Sequence, residues 1–254
     1  VALFSIITIT LNNLSGLKKT AHSISSQTLS DYEWIVVDGA SKDGTLDFLT
    51  ELVSTNWISE PDDGLYHAMN KGIDKATGQY IIFMNAGDCF SSCDVLEKIT
   101  PLTHSQPDFI YGDSVENNHY KRARHHQKIN WGMFTHHQSM IYNRPKLGNM
   151  RYNTEYHIAS DYDLTLRFLK HSQEINYLNY PICIFETGGL SQKQARLGRN
   201  EQFLIRHRNQ SQPLVMNVLI YLGQFLRMAT RTSLPKIYWS FLTSRNTSKT
   251  GSRL

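Results

Sequence analysis

Short apolar runs rich in β-branched residues alternate with amphipathic stretches through the first 84 residues, and this alternation limits the folds open to the chain. Phe4–Thr10 holds three Ile and two Thr among its seven residues, the make-up of a buried strand. Leu17, Ala21 and Ile24 then recur at helical spacing, which predicts a helix over Leu14–Ser26. Trp34–Val37 reads as a second strand, and Thr45–Leu52 as a helix introduced by Asp43-Gly44. Trp57-Ile58 is a short strand, Tyr66–Lys75 a helix and Tyr80–Met84 a further strand. Elements in this order and at these lengths predict an α/β fold, Rossmann-like, with a mostly parallel central sheet and flanking helices.

The second half is less regular. Asp108–Tyr111, Ser139–Tyr142, Ile175–Tyr180 and Ile182–Phe185 read as extended, and Asp161–Lys170 as a helix with Leu164 and Phe168 one turn apart. One α/β domain over residues 1–210 and a basic tail over 211–254 are expected. In the tail, Leu214–Met228 is strongly apolar, with Asn217, Gln224 and Arg227 near one side of a helix. It is too short to span a bilayer, which takes ~20 apolar residues. Lys236-Ile237-Tyr238-Trp239 and Phe241-Leu242 follow as an aromatic and basic mixture. Two readings of this amphipathic helical tail stand side by side. It is an interfacial segment, or a terminal helix packed on the core with its bases facing water.

Charge is unevenly placed. The net charge is only +4, yet from Leu190 onward there are eleven bases and a single acid, Glu201. Such an asymmetry points to an anionic partner for that end of the chain, membrane lipid or nucleic acid. Joined to the amphipathic pattern it favours an anionic membrane surface, and no nucleic acid is expected. Cys89, Cys93 and Cys183 are too few and too scattered for a disulfide framework or a zinc site, which fits a reducing compartment. Val1–Thr10 lacks a basic n-region and a cleavage site, so it is read as a strand rather than a signal peptide.

In open α/β sheets ligands bind beyond the carboxyl ends of the strands. Three such ends are polar here: Thr8, Thr10 and Asn12; Asp38; and Asn85-Ala86-Gly87-Asp88. Together they suggest one crevice with acceptors for a nucleobase and a carboxylate for a metal. No Walker sequence and no Gly-x-Gly-x-x-Gly fingerprint follows the first strand, which disfavours a kinase or a nicotinamide dehydrogenase. A divalent ion at Asp88 would hold a diphosphate without a glycine cradle, and hard oxygen ligands suit magnesium or manganese.

These stretches carry a resemblance. Ser5–Asn12, Val36–Thr45, Ser59–Gly72 and Gly78–Asp88, with the patchier His137-Gln138, Ser160–Leu164 and Gly188–Ser191, resemble an inverting family-2 glycosyltransferase of the GT-A fold, of the kind found in bacterial polysaccharide gene clusters. By that resemblance Asp38 bonds the nucleotide base, and Thr8, Asn12 and Asp43 line the same pocket. Asp62, Asn70, Lys71 and Asn85 lie toward the donor sugar and diphosphate. Asp88 matches the last acid of the family's Asp-x-Asp metal motif, although Asn85 and Gly87 stand where relatives often carry acids.

Asp161 resembles the general base, with Ser160 in place of the usual Glu before it, and His137 an acceptor contact. Asp161 could instead cap its helix, and Asp163 is the alternative base. The implied reaction is sugar transfer, with inversion, from a UDP- or GDP-sugar to a glycan or lipid-linked glycan. The implied cofactor is Mg2+ or Mn2+, and the implied place is cytoplasmic, peripheral on the inner face of the cytoplasmic membrane. Two other classes stay open: a nucleotidyltransferase, whose usual Gly-rich basic loop is missing after Thr10, and a non-catalytic binding protein on a degenerate scaffold.

Overall fold

The computed structural model describes residues 1–52 and 55–233, so the aromatic and basic stretch from Lys236 lies outside the described residues. Four strands carry the first half: β1 (Phe4–Thr10), β2 (Tyr32–Asp38), β3 (Asn56–Ser59) and β4 (Tyr80–Phe83). They run parallel in the order β3-β2-β1-β4. The crossovers are α1 (Leu14–Ser25), α2 (Thr45–Glu51) and α3 (Leu65–Lys75). The predicted elements are all present, with ends moved by a residue or two.

Beyond β4 the sheet becomes mixed. The chain passes through β5 (Cys89–Phe90), α4 (Val95–Thr103), β6 (Phe109–Glu116) and β7 (His119–Lys121). Next come β8 (Met140–Asn143), α5 (Arg144–Leu147) and α6 (Ser160–Lys170). β8 inserts antiparallel between β4 and β6. β9 (Ile175–Phe185) runs parallel to β6, with β5 antiparallel on its far side and β7 folded back on β6. The two extended runs expected at 175–180 and 182–185 are this one strand. Its register with β6 shifts at Asp113, opposite Pro181. Then follow α7 (Leu190–Lys193), α8 (Ala195–Arg208) and α9 (Leu214–Ser233).

Side chains of successive strand residues point to opposite faces, and the two cores divide accordingly. Ile7, Ile35, Val37, Ile81 and Phe83 pack beneath α3 and α6 with Met69, Ile73, Leu164 and Phe168. Phe4, Ile6, Trp34, Val36, Tyr80 and Ile82 pack against α1 and α4 with Leu17, Ile24, Leu96 and Ile99. Each such fully buried side chain contributes roughly 1.5–3 kcal/mol of transfer free energy. Gly72 brings α3 hard against β1, since a Cβ there would collide with Ile7 Cγ2. This packing fixes the carboxyl ends of β1, β2 and β4 along one edge.

Candidate active site

Asp38 ends β2 and is fully buried. Its carboxylate accepts from the Ser41 amide and hydroxyl and, at 2.6 Å, from the Ser59 hydroxyl, drawing the loops after β2 and β3 together. Asn12, at φ 49°, closes the same corner. Its amide donates to Ser41 Oγ at 2.7 Å, and its Oδ1 accepts from the Lys42 amide at 2.8 Å. Asp43 accepts from the Leu14 amide at 2.8 Å and from Thr45, so it ties the starts of α1 and α2 together, and these bonds hold its carboxyl below the usual range. Asn12, Asp38 and Asp43 are thus brought together at one crevice.

Two further residues of the expected pocket bond to backbone. Thr8 is fully buried; its hydroxyl donates to the Met84 carbonyl at 2.7 Å and accepts from Trp34 Nε1 at 2.9 Å. It joins β1 to its neighbours. Asn70 makes a reciprocal pair with the Tyr152 backbone, both bonds at 2.9 Å, so its amide fastens the 152 loop to α3 rather than meeting a donor.

Asp62 is brought to the crevice edge, close to Gly39 and Leu11. It pairs with Lys71 at 2.9 Å and has His67 at 3.6 Å. Lys71 also pairs with Glu60 at 2.7 Å and donates to the Pro61 carbonyl, so its ammonium braces the 60–62 turn. A phosphate would have to compete with two carboxylates for it.

The turn after β4 carries the next group. Met84 and Ala86 continue the pairing with β1, and Gly87 at φ +105° then turns the chain. Thr20 and Lys19 of α1 hold this turn through Gly87 and Asp88. Asp88 is nearly buried; Oδ1 accepts from the Glu186 amide at 2.8 Å and Oδ2 from Gln138 Nε2 at 2.5 Å. Burial outweighs these bonds and pushes its pKa up to about 7. The Glu186 carboxylate leans over Gly87 so closely that a Cβ would collide with it.

Asn85 Oδ1 and Gln138 Oε1, both on partners of this turn, are buried without a hydrogen-bond partner among the described residues. Orphaned oxygens beside two carboxylates form a donor set of hard character, the kind that suits Mg2+ or Mn2+. No cluster of three or more His, Cys, Asp or Glu side chains able to hold a metal occurs among the described residues. An ion here would therefore take Asp88, with Glu186, and complete its shell from the donor's phosphates.

Asn85 leads to the third group. Its Nδ2 lies 3.2 Å from His137 Nε2, and His137 Nδ1 lies 3.7 Å from Asp161 Oδ2. Burial drives the imidazole pKa down to about 3, so the ring is neutral and its contact with Asp161 is no ion pair. Burial also raises Asp161 to about 6, a rise partly opposed by the hydrogen bond from the Tyr162 amide. Asp161 lies in the first turn of α6, whose N-cap is Ala159, so it is not the cap. Asp163 pairs instead with Arg167 at 2.8 Å and accepts from Asn209, on the side away from His137.

Several residues of this arrangement were not singled out from the sequence. Glu186 sits two positions before the Gly188–Ser191 stretch, and Gln138 is the second residue of the His137-Gln138 pair, noted there without a role of its own. Tyr66 donates to the Ile158 carbonyl at 2.7 Å, and Glu201 accepts from the amides of His157, Ile158 and Ala159 at 2.8–2.9 Å. Tyr66 lies within the Ser59–Gly72 stretch, where no role was given to it, and no short motif marks Glu201.

Asp38 and Asn12 at the parallel strand ends, the Asp88 turn and the half-buried Asp161 lie on an α/β fold whose parallel strands end along one edge. The pattern of the family described as "Glycosyl transferase family 2" matches residues 5–172, and the chain belongs to that family. It is a glycosyltransferase, moving a sugar from a nucleotide-sugar donor to an acceptor, and membership sets aside the nucleotidyltransferase reading. A "PGL/p-HBAD biosynthesis glycosyltransferase" of Mycobacterium bovis is 33% identical over 202 residues, covering 74% of this chain and 79% of that one.

The GT-A fold recurs in solved structures. TarS 1–349 of S. aureus, in complex with UDP-GlcNAc, superposes with TM-score 0.68 at 16% identity, over 91% of this chain and 74% of that one. Mannosyltransferase PcManGT from Pyrobaculum calidifontis, in complex with GDP-Man and Mn2+, gives TM-score 0.65 at 15% identity, over 99% and 76%.

Proposed function

We propose that the chain transfers a sugar from a UDP- or GDP-sugar, with inversion, onto a hydroxyl of a glycan or lipid-linked glycan in cell-surface polysaccharide synthesis. The observation that carries the reading is Asp161: a carboxylate raised to about 6 by burial, beside a neutral imidazole, on the same edge as Asp88. A base with a pKa near the working pH is ionised in use and still accepts a proton readily. Asp161 takes the proton of the acceptor hydroxyl as that oxygen attacks the anomeric carbon. His137, held by Asn85, orients the carboxylate and lines the acceptor side. Asp38, with Ser41 and Asn12, forms the wall for the base, and Asp62 flanks the donor sugar.

Asp88 and Glu186 would hold Mg2+ or Mn2+, which would supply positive charge against the departing nucleoside diphosphate. The proposed catalytic body is residues 1–210, with a basic tail from 211, and the proposed place of work is the cytoplasmic membrane's inner face. No helix among the described residues is long and apolar enough to cross a membrane.

Titration of UDP-, GDP- and dTDP-sugars with manganese, magnesium or EDTA tests this, with Asp88→Ala and Asp161→Ala alongside. One donor should bind with metal; Asp88→Ala should lose it, and Asp161→Ala should bind it without turnover. Binding of no nucleotide sugar under any metal condition would overturn the reading.

A further inference from the structure

The helix α9 is packed inside out. Its inward stripe is largely polar: Asn217 is fully buried, Gln224 nearly so, and Ile220 lies between them. Asn217 Oδ1 accepts from buried Arg206 Nε at 2.6 Å, and Asn217 Nδ2 donates to the Phe203 carbonyl at 3.1 Å. Gln224 Nε2 donates to Gln202 Oε1 at 2.9 Å and to the Trp131 carbonyl at 3.3 Å. On a helical wheel Val215, Val218, Leu219, Leu222 and Leu226 fall on the opposite face. All five are exposed, from 39% at Val218 to 74% at Val215. A surface helix normally turns its apolar stripe inward and its polar one to water. Here the polar stripe has the protein as its partner and the leucines have none among the described residues.

The neighbouring helices add exposed aliphatic and basic residues of their own. Leu190, Leu197 and Leu204, seven residues apart along α7 and α8, are exposed as well. Lys193, Arg196 and Arg227 are exposed on the same three helices, and Arg208, also exposed, pairs with Glu155 at 3.1 Å. The one acid of these helices, Glu201, is buried and faces the amides of 157–159. The outer surface of α7–α9 thus combines aliphatic side chains with cations and has no exposed acid among the described residues.

We infer that α9 lies flat in the interface of an anionic lipid surface, with Val215, Val218, Leu219, Leu222 and Leu226 among the acyl chains. Contiguous apolar surface of this kind marks a docking site, and cations around it match lipid phosphates. A second copy of the chain fits less well, because it would bring the same cations face to face. The helix cannot turn to span the bilayer while its polar stripe stays bonded to α8. The inference builds on the membrane placement proposed above, but its test does not depend on donor chemistry.

The test is co-sedimentation of the full chain with phosphatidylcholine vesicles, with and without phosphatidylglycerol, beside a Leu219→Asp/Leu222→Asp variant. The wild type should bind the anionic vesicles and lose binding as salt is raised. The variant should bind them roughly tenfold less or weaker, with its melting temperature and donor hydrolysis unchanged. A fluorophore on Leu222→Cys should shift to the blue on vesicles. Equal binding by the variant would assign the attraction to the basic residues alone and overturn the inference. So would a wild-type dimer that the variant splits, with no vesicle binding by either. Vesicle binding without any donor binding would leave the inference standing and remove the sugar-transfer reading.

Discussion

His137 Nδ1 faces Asp161 Oδ2 at 3.7 Å, and Asn85 approaches the far side of the same ring. With the Asn85 amide donating to Nε2, the ring proton sits on Nδ1, on the Asp161 side of the ring but beyond hydrogen-bond distance of the carboxylate. Asp161 thus has a neutral neighbour that leaves its basicity to burial.

The pH dependence follows. Below pH about 6 Asp161 takes up a proton, so kcat/KM should fall about tenfold per pH unit on the acid side. The His137→Gln enzyme should be slower by roughly ten- to a hundredfold through misorientation. It should keep the same acid limb, because the imidazole is neutral across that range. Loss of the limb in this variant would make His137 the titrating base.

Stability should oppose activity at Asp161. Its folded pKa is raised above the unfolded value, so the fold favours the protonated form; the associated stability is full below the unfolded pKa of about 3.9 and is lost as pH rises through about 6. Asp161→Asn should therefore be more stable than wild type at pH 8, by about 1–3 kcal/mol, with the gap closing toward pH 4. Melting temperatures of both proteins across that range measure it.

At the carboxylate turn, Mn2+ binding followed by calorimetry or electron paramagnetic resonance should weaken below pH about 7, as Asp88 protonates. Gly87→Ala should displace Glu186 and strain a left-handed backbone, at a stability cost of about 1–3 kcal/mol, and should weaken Mn2+ binding. Unchanged Mn2+ affinity in this variant would remove Glu186 from the site.

Glu201→Ala should leave three backbone amides beside α6 without their acceptor. A loss of about 2–4 kcal/mol is expected on chemical denaturation. The enzyme that remains folded should show reduced kcat with little change in donor KM, because the loop it supports leads to Asp161 and not to the nucleotide.

Where the chain is buried on both faces the sequence is easy to read: β1, β2 and β4 are apolar and β-branched, and their ends mark the crevice holding Asp38 and Asp88. For Thr8 and Asn70 the sequence could not show that a polar side chain near strand ends also satisfies backbone, here the carbonyls of Met84 and Tyr152. Glu186 reaches Asp88 across 98 residues, a closeness that only the β5–β9 pairing creates. Periodicity revealed the two stripes of α9 but not which one faces the protein. That depends on Gln202 and Arg206 offering polar partners from α8.

Glu201 lies outside residues 5–172, the stretch the family shares, yet the loop entering α6 hangs from its carboxylate. The inherited module and the working machine are consequently different lengths. A fragment trimmed to the shared stretch would retain every proposed reacting group except Glu186, and would lose the strut that aims the base. Exchanges between relatives should therefore be cut beyond α8, so that the loop and its strut travel together.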